Sequence, residues 1–239
     1  MKFTSILATA SVAVLVAACG VNSTSTADQV KVPAQQTTKE AKVFDGAILE
    51  GLTAANYKLD KTHAFLTASV DHSGGLSDYL ITFTDYDAKL FLDPADVSKS
   101  TIEVTIDPSE IFVNYPADYK AGHADSGFET WAEDISKNDK WLNSTAFPEI
   151  TFKSTKVERT GDATGKITGD LTFLGVTKPV TLDVLFRGSA DNRWGPGKIV
   201  GFDAETIFKR SDFGLGTYIP MIGDEIELAF SAEFQQVTE

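Results

Sequence analysis

From about residue 57 to the C-terminus, apolar and polar residues alternate with a period of two, and the 3.6-residue period of an amphipathic helix is nearly absent. Ile102, Val104 and Ile106 alternate with Thr101, Glu103 and Thr105, and Ile150, Phe152 and Ser154 with Thr151, Lys153 and Thr155. The same holds for Ile167, Gly169, Leu171 and Phe173, for Val180, Leu182, Val184 and Phe186, and for Phe202, Ala204, Thr206 and Phe208. The last run carries Ile226, Leu228, Phe230, Ala232 and Phe234 between acidic and small residues. Each run has one dry and one wet face, as antiparallel strands packed on one side do. Turn-forming residues separate the runs: Gly161-Asp162, Gly175 to Lys178, Asp191-Asn192, Gly195-Pro196-Gly197 and Gly223-Asp224. Short connections between strands of about ten residues, roughly 33 Å long, predict an all-β fold, an antiparallel up-and-down β-barrel. A two-sheet sandwich is the competing arrangement. A barrel leaves no edge to protect.

Two regions depart from the alternation. Phe128 to Asn143 places Trp131, Ile135 and Leu142 at loosely helical spacing and predicts a short helical segment across one barrel end. At the N-terminus, Lys2 precedes an apolar stretch, Ile6 to Ala18, that is too short to span a bilayer permanently but suits a signal peptide. It ends in Val16-Ala17-Ala18-Cys19-Gly20, and Cys19 is the chain's single cysteine. This resembles the bacterial lipobox, which implies cleavage after residue 18, lipidation of Cys19 and a membrane anchor. Residues 19–50 are rich in Ser, Thr, Ala, Gln and Lys and read as a flexible tether, leaving residues 51–239 as one domain.

Charge narrows the partners. The chain carries −13 formal charges, and loss of residues 1–18 removes one further positive charge, Lys2. With no basic cluster to neutralise phosphates, nucleic acid is excluded as a partner, and attraction to anionic headgroups is not expected. With Cys19 acylated no disulfide can form, so the fold relies on its core.

Three blocks in order resemble the YceI-like family. The first is Tyr57-Lys58-Leu59-Asp60-Lys61-Thr62-His63, with Leu66, Ala68, Val70 and His72 following. The second is Phe147 to Thr155, continuing into Gly169 to Val184, and the third is Lys209 to Gly214 with Ile222-Gly223-Asp224-Glu225-Ile226. Ile81-Thr82-Phe83 stands where the family has Gly-x-Phe, and Ser109 to Asn143 diverges. The resemblance covers residues 55–237. It implies a lipocalin-like barrel in the bacterial envelope that holds a long-chain apolar ligand inside: a polyisoprenoid, an isoprenoid quinone or a fatty-acid derivative. It also implies a homodimer, and with the lipobox an outer-membrane location, the barrel lying in the periplasm or at the surface.

On this reading the ligand-binding residues are Leu66, Ile102, Val104, Phe152, Leu171, Phe173, Phe202, Ala204, Phe208 and Phe230, with Arg210 at the rim. The interior mixes Phe with the small residues Ser154, Gly169, Ala204 and Ala232, which leave room in a wide barrel. Arg210 is read either as a strand-end ion pair or as a headgroup ligand. His63 and His72 lie nine residues apart on opposite strand faces and are not expected to share a metal, and His63 is expected to hydrogen-bond near Asp60. The glycines around Gly169 and Gly175 read as hairpin chemistry rather than a phosphate cradle. No nucleophile elbow or isolated carboxylate pair suggests an enzyme, and no cofactor is expected beyond a bound lipid. The other reading is a non-catalytic, stress-related envelope interaction protein with a filled barrel.

Overall fold

The computed structural model describes residues 49–238. Cys19, the expected leader and the expected tether up to residue 48 lie outside the described residues. Ten strands follow one another: β1 (Ala55–His72), β2 (Ser77–Phe83), β3 (Tyr86–Leu92), β4 (Thr101–Ile106), β5 (Ile111–Val113), β6 (Ile150–Arg159), β7 (Thr164–Phe173), β8 (Val176–Asp191), β9 (Lys198–Lys209) and β10 (Ile222–Gln236). Two short helices, α1 (Tyr119–Gly122) and α2 (Trp131–Lys137), stand between β5 and β6.

Eight strands form a closed antiparallel ring, in the order β1-β10-β9-β8-β7-β6-β4-β3 and back to β1. The barrel expectation holds. β1 is long enough to serve two neighbours on one edge: Ala55 to Lys58 pair with β3, and Leu66 to His72 pair with β2. Its other edge follows β10 throughout, interrupted by a bulge where five steps from Leu59 to Ala64 face two from Phe234 to Ala232. β2 and β5 extend the sheet beside the ring. The strands chosen by alternation are all present. β3 was not read from the sequence, although Tyr86, Ala88, Leu90 and Leu92 alternate inward there.

Three local expectations need correction. The helical segment is shorter than residues 128–143: Thr130 caps the start of α2 by accepting from the Glu133 amide, and the helix ends at Lys137. Leu142 follows in a turn. Gly223-Asp224 is not a turn but the start of β10, because a Cβ at Gly223 would lie 2.7 Å from Asp71 Cβ on the neighbouring β1. Glycine is needed there for close strand approach. Finally, Leu49, assigned to the tether, already packs against the core.

The connection from β9 to β10 closes one end of the barrel. It opens with a 3₁₀ turn, Arg210–Phe213, and Phe213 is 2% exposed. The Phe213 ring packs against Phe208 and Phe173, with centroids 5.4 and 5.7 Å apart, and Leu215 is buried beside it. Arg210 explains how so irregular a segment keeps its shape. Its guanidinium is buried and donates to four backbone carbonyls: Gly223 at 2.7 Å, Thr217 at 2.8 Å, and Leu215 and Ile222 at 2.9 Å. Burial pulls its pKa down, and nearby Asp224 opposes that. Both sequence readings of Arg210 are corrected. It makes neither a strand-end ion pair nor an open headgroup contact, since its donors are committed to holding the loop. Arg210→Met should leave these carbonyls without partners and cost roughly 2–4 kcal/mol. For a domain of this size, thermal unfolding should then fall by roughly 5–15 °C; an unchanged melting temperature would contradict the role.

Candidate functional site: an apolar chamber in the barrel

The inward faces of the strands do not close-pack. A cavity of about 110 Å³ lies among them. A single water needs only about 10–15 Å³ in a comparable measure, so this is a chamber rather than a packing defect. Residues that point at the axis accordingly keep accessible surface: Ile102, Val104, Phe152, Ile167, Leu182, Val184, Phe202, Phe208, Leu228 and Phe230 are only half-buried. The lining is hydrocarbon and aromatic apart from Thr206, whose hydroxyl donates to the Thr181 carbonyl at 2.9 Å. Among the described residues, no ionisable side chain lines it.

Period-two geometry positions these groups. Val184, Ala204 and Phe230 stand side by side across β8, β9 and β10, and Val104, Phe152 and Leu171 across β4, β6 and β7. Aromatic contacts stiffen one wall: Phe202 lies 5.1 Å from Phe186 and 6.1 Å from Phe234, and Phe230 lies 6.2 Å from both Phe234 and Tyr86. Burial raises the Tyr86 phenol to about 12, so this wall adds no charge at ordinary pH.

A second space of about 90 Å³ adjoins the chamber and shares Leu90, Ile102, Ile167, Val184 and Phe202 with it. It runs past Leu49 and Val97 to the β6–β7 hairpin, where Arg159, Asp162 and Thr164 edge it. The interior thus continues towards that end. The opposite end carries the plug of Phe213, Leu215 and Phe173.

Of the eleven ligand-binding residues named from the sequence, nine line the chamber: Leu66, Ile102, Val104, Phe152, Leu171, Phe202, Ala204, Phe208 and Phe230. Phe173 belongs to the plug, and Arg210 to the loop behind it. Gly169 does not leave room for a ligand as expected, because the Phe152 ring lies where its Cβ would be. Leu182, Val184 and Leu228 were recognised as inward but not named as site residues; Leu90 was missed with its strand.

A polar cluster sits outside the barrel at the β1 bulge. Asp60 Oδ2 meets His63 Nδ1 at 3.0 Å and accepts from Gln235 Nε2 at 2.8 Å, while Asp60 Oδ1 accepts from the Thr62 amide and hydroxyl. The expected hydrogen bond of His63 near Asp60 is present. Glu233, not His72, completes a group whose ligand atoms lie within 4.8 Å of one another. Both Asp60 oxygens are already engaged, which leaves fewer free ligands than the three or four that zinc needs. Burial alone would raise the Asp60 carboxyl, but hydrogen bonds from Thr62, His63 and Gln235 outweigh it and hold the carboxyl far below its usual range. The bond to Asp60 and its charge raise the His63 pKa in turn. The His63 contribution to stability is therefore present below its unfolded pKa, about 6.5, and is lost as pH rises through the raised folded value. In Asp60→Asn the His63 pKa should fall back, as read by NMR titration of the imidazole; an unmoved value would mean that the pair does not hold in solution.

The family model for the YceI-like domain matches residues 57–234. Protein YceI of Shigella flexneri is 37% identical over 182 residues, which cover 75% of this chain and 86% of the relative. Among solved structures, Burkholderia cenocepacia BcnA is similar with a TM-score of 0.58 at 22% identity, covering 73% of this chain and 98% of that one. A Campylobacter jejuni YceI protein reaches 0.53 at 28% identity, covering 66% and 85%. A polyisoprenoid-binding domain from Saccharophagus degradans reaches 0.51 at 15% identity, covering 77% and 99%, and shares the fold.

Proposed function

The chain belongs to the YceI-like family, and from that premise we propose that it is an envelope lipoprotein that binds a long-chain apolar molecule inside its barrel. The observation that carries this reading is the apolar chamber, with inward side chains that retain accessible surface around it. An aqueous solute would lose its hydrogen bonds there without replacement, whereas a hydrocarbon chain would exchange water for dispersion contacts. The ligand class is a polyisoprenoid, an isoprenoid quinone or a fatty-acid derivative. The structural neighbour described as polyisoprenoid-binding supports the first of these by fold. The tail would lie along the axis, and a polar head would stay at the β6–β7 end, where Arg159 and Asp162 meet solvent.

Organic extraction of protein purified from its own host, followed by mass spectrometry, tests this reading. A defined lipid at near-stoichiometric yield is expected; a clean extract favours the interaction protein with a filled barrel. Ala204→Trp sharpens the test, because Ala204 lines the chamber between Val184 and Phe230. Overpacking of a filled core costs typically about 1–3 kcal/mol. Here the indole should occupy the ligand's place, so delipidated protein should lose less than about 1 kcal/mol while the lipid yield drops. Strong destabilisation with unchanged lipid would sink the chamber reading.

Anchoring by Cys19 is the second part of the proposal. Two or three acyl chains hold a protein to a membrane stably, whereas one does so only marginally. Cys19→Ser should move the protein from the membrane fraction to the soluble fraction with its circular dichroism unchanged. Retention after a salt wash would mean another anchor or an incorrect lipobox.

A further inference from the structure

At the plugged end of the barrel two connections project beyond the strands. The β1–β2 turn carries Leu76, which is 85% exposed, and the β9–β10 connection carries Tyr218, Ile219 and Met221 at 49%, 39% and 52%. The Ser73 amide donates to the Met221 carbonyl at 2.7 Å, which joins the two into one tip. Trp141 lies beside it, 5.7 Å from the Tyr218 ring. Neither Ser73 to Leu76 nor Phe213 to Gly223 contains a charged residue, in a chain of which 23% is charged. The charged residues that border the tip are mainly acidic: Asp71 and Asp78 at the ends of β1 and β2, and Asp212 and Asp224 at either side of the loop, against Lys209 at its start and Lys140 beside Trp141.

Loop tips in water normally present polar side chains. This one is sided differently: Phe213 and Leu215 are buried at the barrel end, while Tyr218, Ile219 and Met221 stay exposed, Tyr218 and Met221 at the edge of a pocket shared with Trp141. Irregular backbone is usually kept out of hydrocarbon by its unpaired carbonyls. Here Arg210 engages those of Leu215, Thr217, Ile222 and Gly223 from inside, which lowers that cost. A protein partner draws hydrogen bonds from the surface it covers, and here the carbonyls of Leu215, Thr217, Ile222 and Gly223 are already committed to Arg210, which favours hydrocarbon. Tyr and Trp beside aliphatic groups are the composition of a membrane interface.

We propose that this tip is a membrane-docking element, entering the surface of an uncharged bilayer and setting the barrel plug against it. The docking is independent of the lipid-binding reading above.

In a Cys19→Ser background, Tyr218→Cys leaves the chain with one thiol, which can carry an environment-sensitive fluorophore. The probe is phosphatidylcholine vesicles, with and without brominated acyl chains. The label should shift to the blue and be quenched by the brominated chains, while the same label at Asp183→Cys on the barrel wall stays aqueous. Because the label is local, attachment through another segment does not reproduce the signal. Replacing half the lipid with phosphatidylglycerol should weaken the response roughly five-fold, since the bordering carboxylates repel anionic headgroups. Ile219→Asp with Met221→Asp should abolish it and leave the circular dichroism intact. A label that stays aqueous at saturating vesicles overturns the proposal, and so does a response that strengthens with phosphatidylglycerol. Neither outcome would alter what organic extraction finds in the chamber, so the two readings fail separately.

Discussion

Where β1 lies antiparallel along β10, from Tyr57 opposite Gln236 to His72 opposite Ile222, the first and last strands of the domain close the sheet upon itself. Closure removes edges within the ring and fixes the interior width. Eight strands give an interior that side chains can just fill, or that holds one small ligand. The fold thus permits either outcome, and the choice passes to side-chain volume. Val104, Val184, Ala204 and Thr206 face the axis where larger groups would have filled it.

Closure also constrains β1 itself. One strand has to follow β10 along its length while changing partner from β3 to β2, and the bulge between Leu59 and Ala64 absorbs the mismatch. The extra residues include Asp60 and His63: Asp60 accepts from the Thr62 amide and from Gln235 Nε2, and meets His63 Nδ1. A histidine that invites a catalytic or metal reading is explained at least in part by the geometry of a strand joint.

Most of the fold was legible in the sequence because a half-buried strand writes its two faces into alternate residues. β4 and β6 to β10 carry that pattern, and it selected eight of the nine chamber residues; Leu66, on β1, came from the family resemblance. The failures have physical causes. Alternation assigns a face but not a depth along the axis, so Phe173 looked like a chamber residue although its ring belongs to the plug. Nor does it reveal where a neighbouring side chain leans, as Phe152 does over Gly169. Arg210 was misread because its partners are backbone carbonyls, which leave no trace in side-chain identity. The short helix α2 ends before the spacing suggested because its packing is tertiary, with Trp131 against Tyr115, Tyr119 and His123.

The two barrel ends differ in kind, and the difference follows from how each is closed. Towards the β6–β7 hairpin the interior meets a charged rim, which suits a polar head in water. At the other end Phe213 and Leu215 fill the opening from within a loop whose outer side is apolar as well. A loop with two apolar faces gains little from water on either side, so it needs an internal polar anchor to hold one conformation. Arg210 supplies that anchor from within the loop, where its charge is shared among four carbonyl oxygens. The desolvation of one guanidinium is thereby exchanged for the fixed shape of an entire barrel end, leaving its outward side chains free to meet another apolar phase.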